Sequence, residues 1–210
     1  MAVRRDTNPS VNFYLLMAVA GIVAATGLWN GTLHIVVGAM LIAPGFEPVM
    51  RVPFALIGRS GGWRRGILST AAGYGCLAVG AALTLLVLST EAGPGAQALG
   101  DRPLVRYWTS IGYTDALVAL AAGAAGATIV SSRRTVFSAG VMVALGMIPA
   151  MAIVGMGLVF GEPGLAGQGL LRWGVDVVCV LVSSSIVLGL KQRFRHRRGS
   201  LDRPGHVQAL

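Results

Sequence analysis

The sequence is poor in charged residues, cysteine and histidine. Only 12% of its 210 residues are charged, and it has two cysteines and three histidines. Cys76 and Cys179 both lie in apolar runs, which is typical of buried thiols and argues against a disulfide or a metal site. A histidine–glutamate zinc motif, a glycine-rich phosphate loop and a G-x-S-x-G elbow are all absent from the sequence. We therefore expect no catalytic residues, no metal and no cofactor, and do not expect an enzyme.

Apolar residues are abundant instead. They make up 54% of the chain, and the mean hydropathy of +0.71 is that of a membrane protein. A helix needs about 20 mainly apolar residues to cross a bilayer. Six segments approach or exceed that length, at residues 11–28, 33–58, 66–88, 113–130, 136–160 and 170–190. The sequence thus predicts an all-α integral membrane protein with about six transmembrane helices.

The net charge of +9 first raises the possibility of a nucleic-acid partner. With the N-terminus in the cytoplasm, however, only Arg102, Arg106 and Arg172 of the 17 basic residues fall in outer segments. That bias follows the positive-inside rule, so the basic residues fix orientation and contact membrane lipids. We expect both termini on the cytoplasmic side of a bacterial inner membrane, and no nucleic-acid partner.

The spans divide into two similar sets. A cytoplasmic arm (1–10) precedes three helices (11–88), an extracytoplasmic linker (89–112), three more helices (113–190) and a basic cytoplasmic tail (191–210). Gly38 and Met40 align with Gly140 and Met142, and Pro48 lies one residue out of register with Pro149. Because three crossings reverse the chain, this similarity predicts a 3+3 inverted-topology repeat.

Prolines interrupt the second and fifth segments at matching places. Pro44, Pro48 and Pro149 each remove a backbone donor near the expected bilayer centre, where lipid cannot replace it. Paired interruptions of this kind indicate a solute site built from half-helix ends. The alternative is that the prolines only kink the helices for packing.

Carboxylates add to this pattern. Glu47 lies at the first interruption, where an ionised side chain costs several kcal/mol unless it is paired, protonated or hydrated. It either serves a cation or proton or makes a structural hydrogen bond to nearby backbone. Asp176 lies within the sixth segment, whereas Asp115 opens the fourth as an ordinary helix-start carboxylate would. The predicted substrate-binding residues are Gly38, Pro44, Glu47, Pro48, Gly140, Pro149 and Asp176, the glycines allowing close approach.

Several motifs together resemble one family. "YLLMAVAGIVAATGL", "VVGAMLIAP", "DALVALAAGAAGA" and "AGVMVALGMIPAMAIVGMGL" are similar to domain of unknown function family 389, a group of bacterial and archaeal multi-pass membrane proteins. The resemblance covers about residues 11–190. This chain has Ala150 after Pro149 where members typically have a second proline, and Asp176 where asparagine is frequent. The resemblance implies an integral membrane fold with functional glycine–proline motifs. It does not indicate a particular activity.

We therefore expect a transporter or channel for a small solute or ion, with a midplane site between the two broken helices. The competing class is a non-transporting membrane scaffold or stress-response component. Small-residue faces, such as the one with Gly157 and Gly161 four residues apart, permit close helix packing. Because six spans form a thin wall around a solute path, we also expect a homo-oligomer.

Overall fold

The described part of the chain is almost entirely helical. The computed structural model describes residues 10–58, 61–91, 99–131, 141 and 144–199, and these residues contain no strand. They include a short 3-10 helix at Leu99–Asp101 and eight α-helices with defined bounds. These helices are α1 (Val11–Trp29), α2 (Leu33–Ile42), α3 (Phe46–Ile57), α4 (Trp63–Glu91), α5 (Pro103–Thr109), α6 (Tyr113–Ser131), α7 (Met147–Phe160) and α8 (Pro163–Gly199).

Four helices, α1, α4, α6 and α8, are long and apolar enough to cross a membrane. The pair α2 and α3 passes the same test as one broken span, bent by 47°. The fifth predicted segment lies partly outside the described residues, and its described part includes the 14-residue apolar helix α7. The prediction of an α-helical membrane protein is confirmed at this level, with four to five candidate spans among the described residues.

Two breaks interrupt apolar segments. The first break is Ala43 to Gly45, and the second break is Leu145 and Gly146, which follow a helical Ala144. Pro44 lies in the first break, as predicted. Pro48 and Pro149 have a different role, because each is the third residue of the helix that follows a break. An N–H in that position has no partner within its helix, so these prolines begin helices and do not open them.

A proline within α3 was missed by the sequence analysis. Pro53 is the eighth residue of α3, where an ordinary residue would donate its N–H to the carbonyl of Val49. Because proline has no N–H, α3 lacks this one backbone hydrogen bond.

Glycines bring helix backbones into direct contact. Gly21 of α1 packs on the backbone carbonyl of Leu77 in α4, and Gly155 of α7 packs on that of Ala78. A side chain at either glycine would collide with backbone, which cannot move aside as a flexible side chain can. Of the predicted pair, Gly157 packs in this way on the backbone of Ala166 in α8, whereas Gly161 ends α7 in the left-handed conformation with no described atom within 4 Å.

The two half-helices that follow the breaks pack in similar ways. Each of α3 and α7 contacts both α4 and α8. Val52 of α3 lies against Gly66 of α4, and Val154 of α7 lies against Gly169 of α8. The breaks are thereby held between the long helices of both halves of the chain.

The described part of the linker is more ordered than the loop that its polar composition suggests. Leu99, Val105 and Trp108 are buried against the bundle. Arg102 stacks on the Trp29 ring, 3.8 Å from its centroid, and donates a hydrogen bond to the Trp29 carbonyl. Burial lowers the pKa of Arg102 from its ordinary value. The linker thus forms a cap over one end of the bundle, hereafter the linker end.

Candidate functional site

The second break is enclosed by protein. Leu145, Gly146 and Met147 are all buried. The carboxylate of Asp176, only 1% exposed, faces Gly146, and the backbone of Gly146 lies within hydrogen-bonding reach of it. Gly146 precedes the first turn of α7, whose free N–H groups and dipole favour a negative charge. The break therefore brings a helix N-terminus and a buried acidic side chain together.

Asp176 belongs to a buried ionic group, the Arg172 cluster, formed by Asp115, Arg172 and Asp176. Arg172 Nη1 lies 3.0 Å from Asp115 Oδ2, and Arg172 Nε lies 3.5 Å from Asp176 Oδ2. Nη1 also donates a hydrogen bond of 2.7 Å to the carbonyl of Ser110. Asp115 in turn accepts a hydrogen bond from the Gly112 N–H at the start of α6, as expected of a helix-start carboxylate. One guanidinium thus joins α6, α8 and the linker.

Exposure falls steadily along this cluster. The side chain of Asp115 is 30% exposed, that of Arg172 6% and that of Asp176 1%. The three groups therefore lead from the protein surface to the second break.

Aromatic side chains surround the inner end of the cluster. Trp108 packs against Gly146, and the ring of Trp173 meets that of Tyr74 edge-on at 5.3 Å. The Tyr74 hydroxyl lies 3.8 Å from the Met147 sulfur. The indole N–H groups of Trp108 and Trp173, Arg172 Nε and Asp176 Oδ2 are buried without a hydrogen-bond partner among the described residues. Arg172 Nε and Asp176 Oδ2 face each other at 3.5 Å, whereas the two indole N–H groups have no such counterpart. Because buried polar atoms are nearly always satisfied, these indole groups indicate a site for a polar ligand or water.

An open depression of about 550 Å³ lies at the linker end, next to the cluster. Ser110, whose carbonyl binds Arg172, forms part of its wall. The other lining residues, several of them polar, are Gly100, Asp101, Arg106, Thr109, Glu162, Gly164, Leu165 and Gln168. The depression is therefore connected to the cluster through Ser110, while the three cluster residues themselves are not among those that line it.

The structure separates the predicted site residues. Asp176 and Pro149 lie at or next to the second break, whereas Pro44 and Pro48 lie at the first. Glu47 is exposed on the exterior of the chain, so it does not share an enclosed site with Asp176. Gly38 has no neighbour among the described residues where its side chain would be, so no helix of that part of the chain packs closely on it. Gly140 lies outside the described residues.

Arg172 was misplaced by the sequence analysis. It was counted as an outer-segment residue that sets orientation, but it is buried within α8. The spacing of Arg172 and Asp176, four residues apart, places both on one face of a helix and could have indicated the pair. The contributions of Tyr74 and Trp108 carry no comparable signal, because they come from helices distant in sequence.

Metal binding finds no support in this geometry. Among the described residues, no group of three or more histidine, cysteine, aspartate or glutamate side chains is arranged to hold a metal ion. The cluster has two carboxylates, and its third member is a cation.

Apolar helices of membrane-crossing length, one of them a broken pair, place the chain in the class of α-helical membrane proteins. The profile of the family "Domain of unknown function (DUF389)" matches residues 40–182, more than half of the chain, and the chain belongs to that family. It is 22% identical over 187 residues to the uncharacterized protein MJ0678 of Methanocaldococcus jannaschii. That match covers 86% of this chain, which spans 54% of the relative's length. No solved structure matches the chain significantly.

Proposed function

We propose that the protein is a transporter or channel for a small polar solute or ion, which passes the second break beside the Arg172 cluster. The observation that carries this proposal is the buried ionic group at a helix interruption, with unpartnered polar atoms around it. Ionisable side chains within membrane segments are costly and typically mark solute or ion pathways. Half-helix termini at such a place are a recurrent means of binding solutes in transporters.

The proposal includes six spans arranged as an inverted repeat. Contacts of equivalent residues support it, since Gly21 packs on Leu77 in the first half and Gly123 packs on Val180 in the second. The second pair lies about one repeat, 102 to 103 residues, after the first. The Gly66–Val52 and Gly169–Val154 contacts are related in the same way. With six spans, the positive-inside rule would place both termini in the cytoplasm and the linker end outside a bacterial inner membrane.

A homo-oligomer remains part of the proposal. Glu47 lies on the exterior of the single chain, close to the exposed apolar residues Leu41 and Ile42. Ionisable residues in membrane segments nearly always face protein or water. A second copy of the chain that covers this face of α3 would remove Glu47 from lipid. Its test is the mass of the detergent-solubilised protein, where a monomer in every mild detergent would contradict it.

A scaffold is the competing function. Small-residue packing would serve a scaffold equally well, but a scaffold does not need unpartnered donors around a buried carboxylate. Solute permeability therefore distinguishes the two classes.

The test compares matched carboxylate variants in lipid vesicles. Stopped-flow light scattering would follow shrinkage and recovery of vesicles challenged with urea, glycerol, sodium chloride or potassium chloride. We expect wild type to admit at least one of these faster than protein-free vesicles, Asp176→Asn to lose that permeability and Glu47→Gln to keep it. Permeability equal to that of protein-free vesicles for all four solutes would favour the scaffold.

A further inference from the structure

The Arg172 cluster has one more negative group than positive. Asp115 and Asp176 both pair with Arg172, which is their only cationic partner among the described residues. The other titratable groups that face Asp176 are Tyr74 on α4 and Cys179 on α8, and neither supplies a positive charge. With both carboxylates ionised, a net negative charge would remain, and its inner carboxylate, Asp176, is only 1% exposed. An uncompensated buried charge of this kind is strongly unfavourable.

A bound proton is better suited than a metal ion to neutralise this excess negative charge. The described residues provide no group of three acidic, histidine or cysteine ligands, so a divalent ion would lack a coordination shell here. A proton needs a single carboxylate oxygen, and Asp176 Oδ2 is buried with no donor in hydrogen-bond geometry among the described residues. Its contact with Arg172 Nε at 3.5 Å is longer than the 3.0 Å contact of Asp115 with Nη1. Asp115 thus holds the guanidinium more closely, and Asp176 is the carboxylate left to bind the proton.

We propose that Asp176 is a proton-binding site reached from the linker end, and that Arg172 pairs with Asp115 alone when Asp176 is protonated. The proton comes from bulk water at the linker end, where the side chain of Asp115 is 30% exposed, and is taken up by an Asp176 oxygen. On release, the negative charge of Asp176 draws Arg172 back into the shared arrangement. The coupling ion of the proposed transport would accordingly be a proton. The inference rests on the proposed function for that role, but proton binding itself can be measured without transport.

Infrared difference spectroscopy of the full chain in lipid vesicles tests this directly. The pH would be stepped from mildly alkaline to mildly acidic while the carbonyl band of a protonated carboxyl group is recorded. We expect a band that appears as the pH falls, is lost in Asp176→Asn and is retained in Glu47→Gln, the matched change on the exterior. Absence of the band in wild type throughout the range, or its persistence in Asp176→Asn, would overturn the inference.

A second variant covers the case in which Asp176→Asn does not fold. In Asp115→Asn, Asp176 is the only carboxylate of the cluster that pairs with Arg172. The ionised form of Asp176 is then better stabilised, so a more acidic solution should be needed to protonate it. A band that appears at the same pH as in wild type would contradict the sharing of Arg172. Solute permeation without the band would refute the proton site and leave the proposed function standing. The band without permeation would support the proton site and refute the transport function.

Discussion

The two helix breaks of this protein resemble each other in backbone and differ in chemistry. Each is followed by a half-helix that has proline in its third position and packs between α4 and α8. Ala43 and Gly45 of the first break are buried, as Leu145 and Gly146 of the second are, but the second break faces the Arg172 cluster, whereas the carboxylate next to the first, Glu47, lies on the exterior. In the proposed repeat, the first-half counterparts of Arg172 and Asp176 are Ser69 and Gly73, which carry no charge.

Space explains part of this difference. A side chain at Gly73 would collide with the ring of Phe13, 2.6 Å from the position of its first carbon atom. Ser69 donates its hydroxyl hydrogen bond within its own helix, to the carbonyl of Gly66. In the first half, apolar and small residues fill the space that corresponds to the ion cluster of the second half. Two halves with the same backbone arrangement can therefore differ, one being closely packed and the other holding charged side chains.

Removal of Arg172 should produce the largest effect. Arg172→Gln leaves two carboxylates at the second break without a cation, and breaking a buried pair in this way costs about 3–5 kcal/mol. We expect a lower unfolding temperature in detergent, measured by the loss of the monodisperse peak after heating. Arg106→Gln, an exposed position on the depression, is the control and should unfold as wild type does. Equal stability of the two variants would show that the cluster contributes nothing to the fold.

Disruption of the packing of a half-helix should produce the second-largest loss of stability. Gly155→Val forces α7 away from the Ala78 carbonyl of α4, and overpacking of this kind costs about 1–3 kcal/mol. The same substitution at Gly75 of α4 meets no atom within 4 Å among the described residues. We expect the heat stability of Gly155→Val alone to fall. Similar losses in both variants would point to the change in helix propensity and not to the contact.

Removal of a neutral hydrogen bond near the first break should lower the stability less than either of these changes. Ser184 of α8 is fully buried, donates to the Gly123 carbonyl at 3.1 Å and touches the sulfur of Met50 in α3. Ser184→Ala should cost about 1 kcal/mol, the usual net value of such a bond. Ser89→Ala, which removes an exposed bond within α4, should cost less by the same heating assay. If the Ser184 variant proved as harmful as Arg172→Gln, the contrast between the two breaks would fail.

The prolines that begin α3 and α7 should give the smallest effect. Pro48→Ala and Pro149→Ala restore an N–H that has no partner within its helix, so stability should change by less than about 1 kcal/mol. Pro53→Ala restores a donor for the Val49 carbonyl and should stabilise α3. Helix content and heat stability of the three variants would check this order. A large loss in Pro149→Ala would mean that this proline itself maintains the second break.

The sequence by itself determined the class of the protein and the approximate places of its apolar helices, although α8 (Pro163–Gly199) extends well beyond the predicted 170–190. Composition and the length of apolar runs suffice for this, because a bilayer core imposes a minimum length of apolar helix. The prolines also marked where helices are interrupted. Their role was misread because position within a helix decides whether a proline costs a hydrogen bond, and Pro48 and Pro149 occupy first turns.

Only the tertiary structure decided where the candidate site lies. Glu47 and Asp176 are both carboxylates in apolar segments, and nothing local distinguishes the exposed one from the buried one. The distinction comes from helices far apart in sequence, as α4, α5, α6 and α8 bring Tyr74, Trp108, Asp115 and Arg172 to the second break. Because the energy of a buried charge depends on such neighbours, it is fixed only when the helices pack.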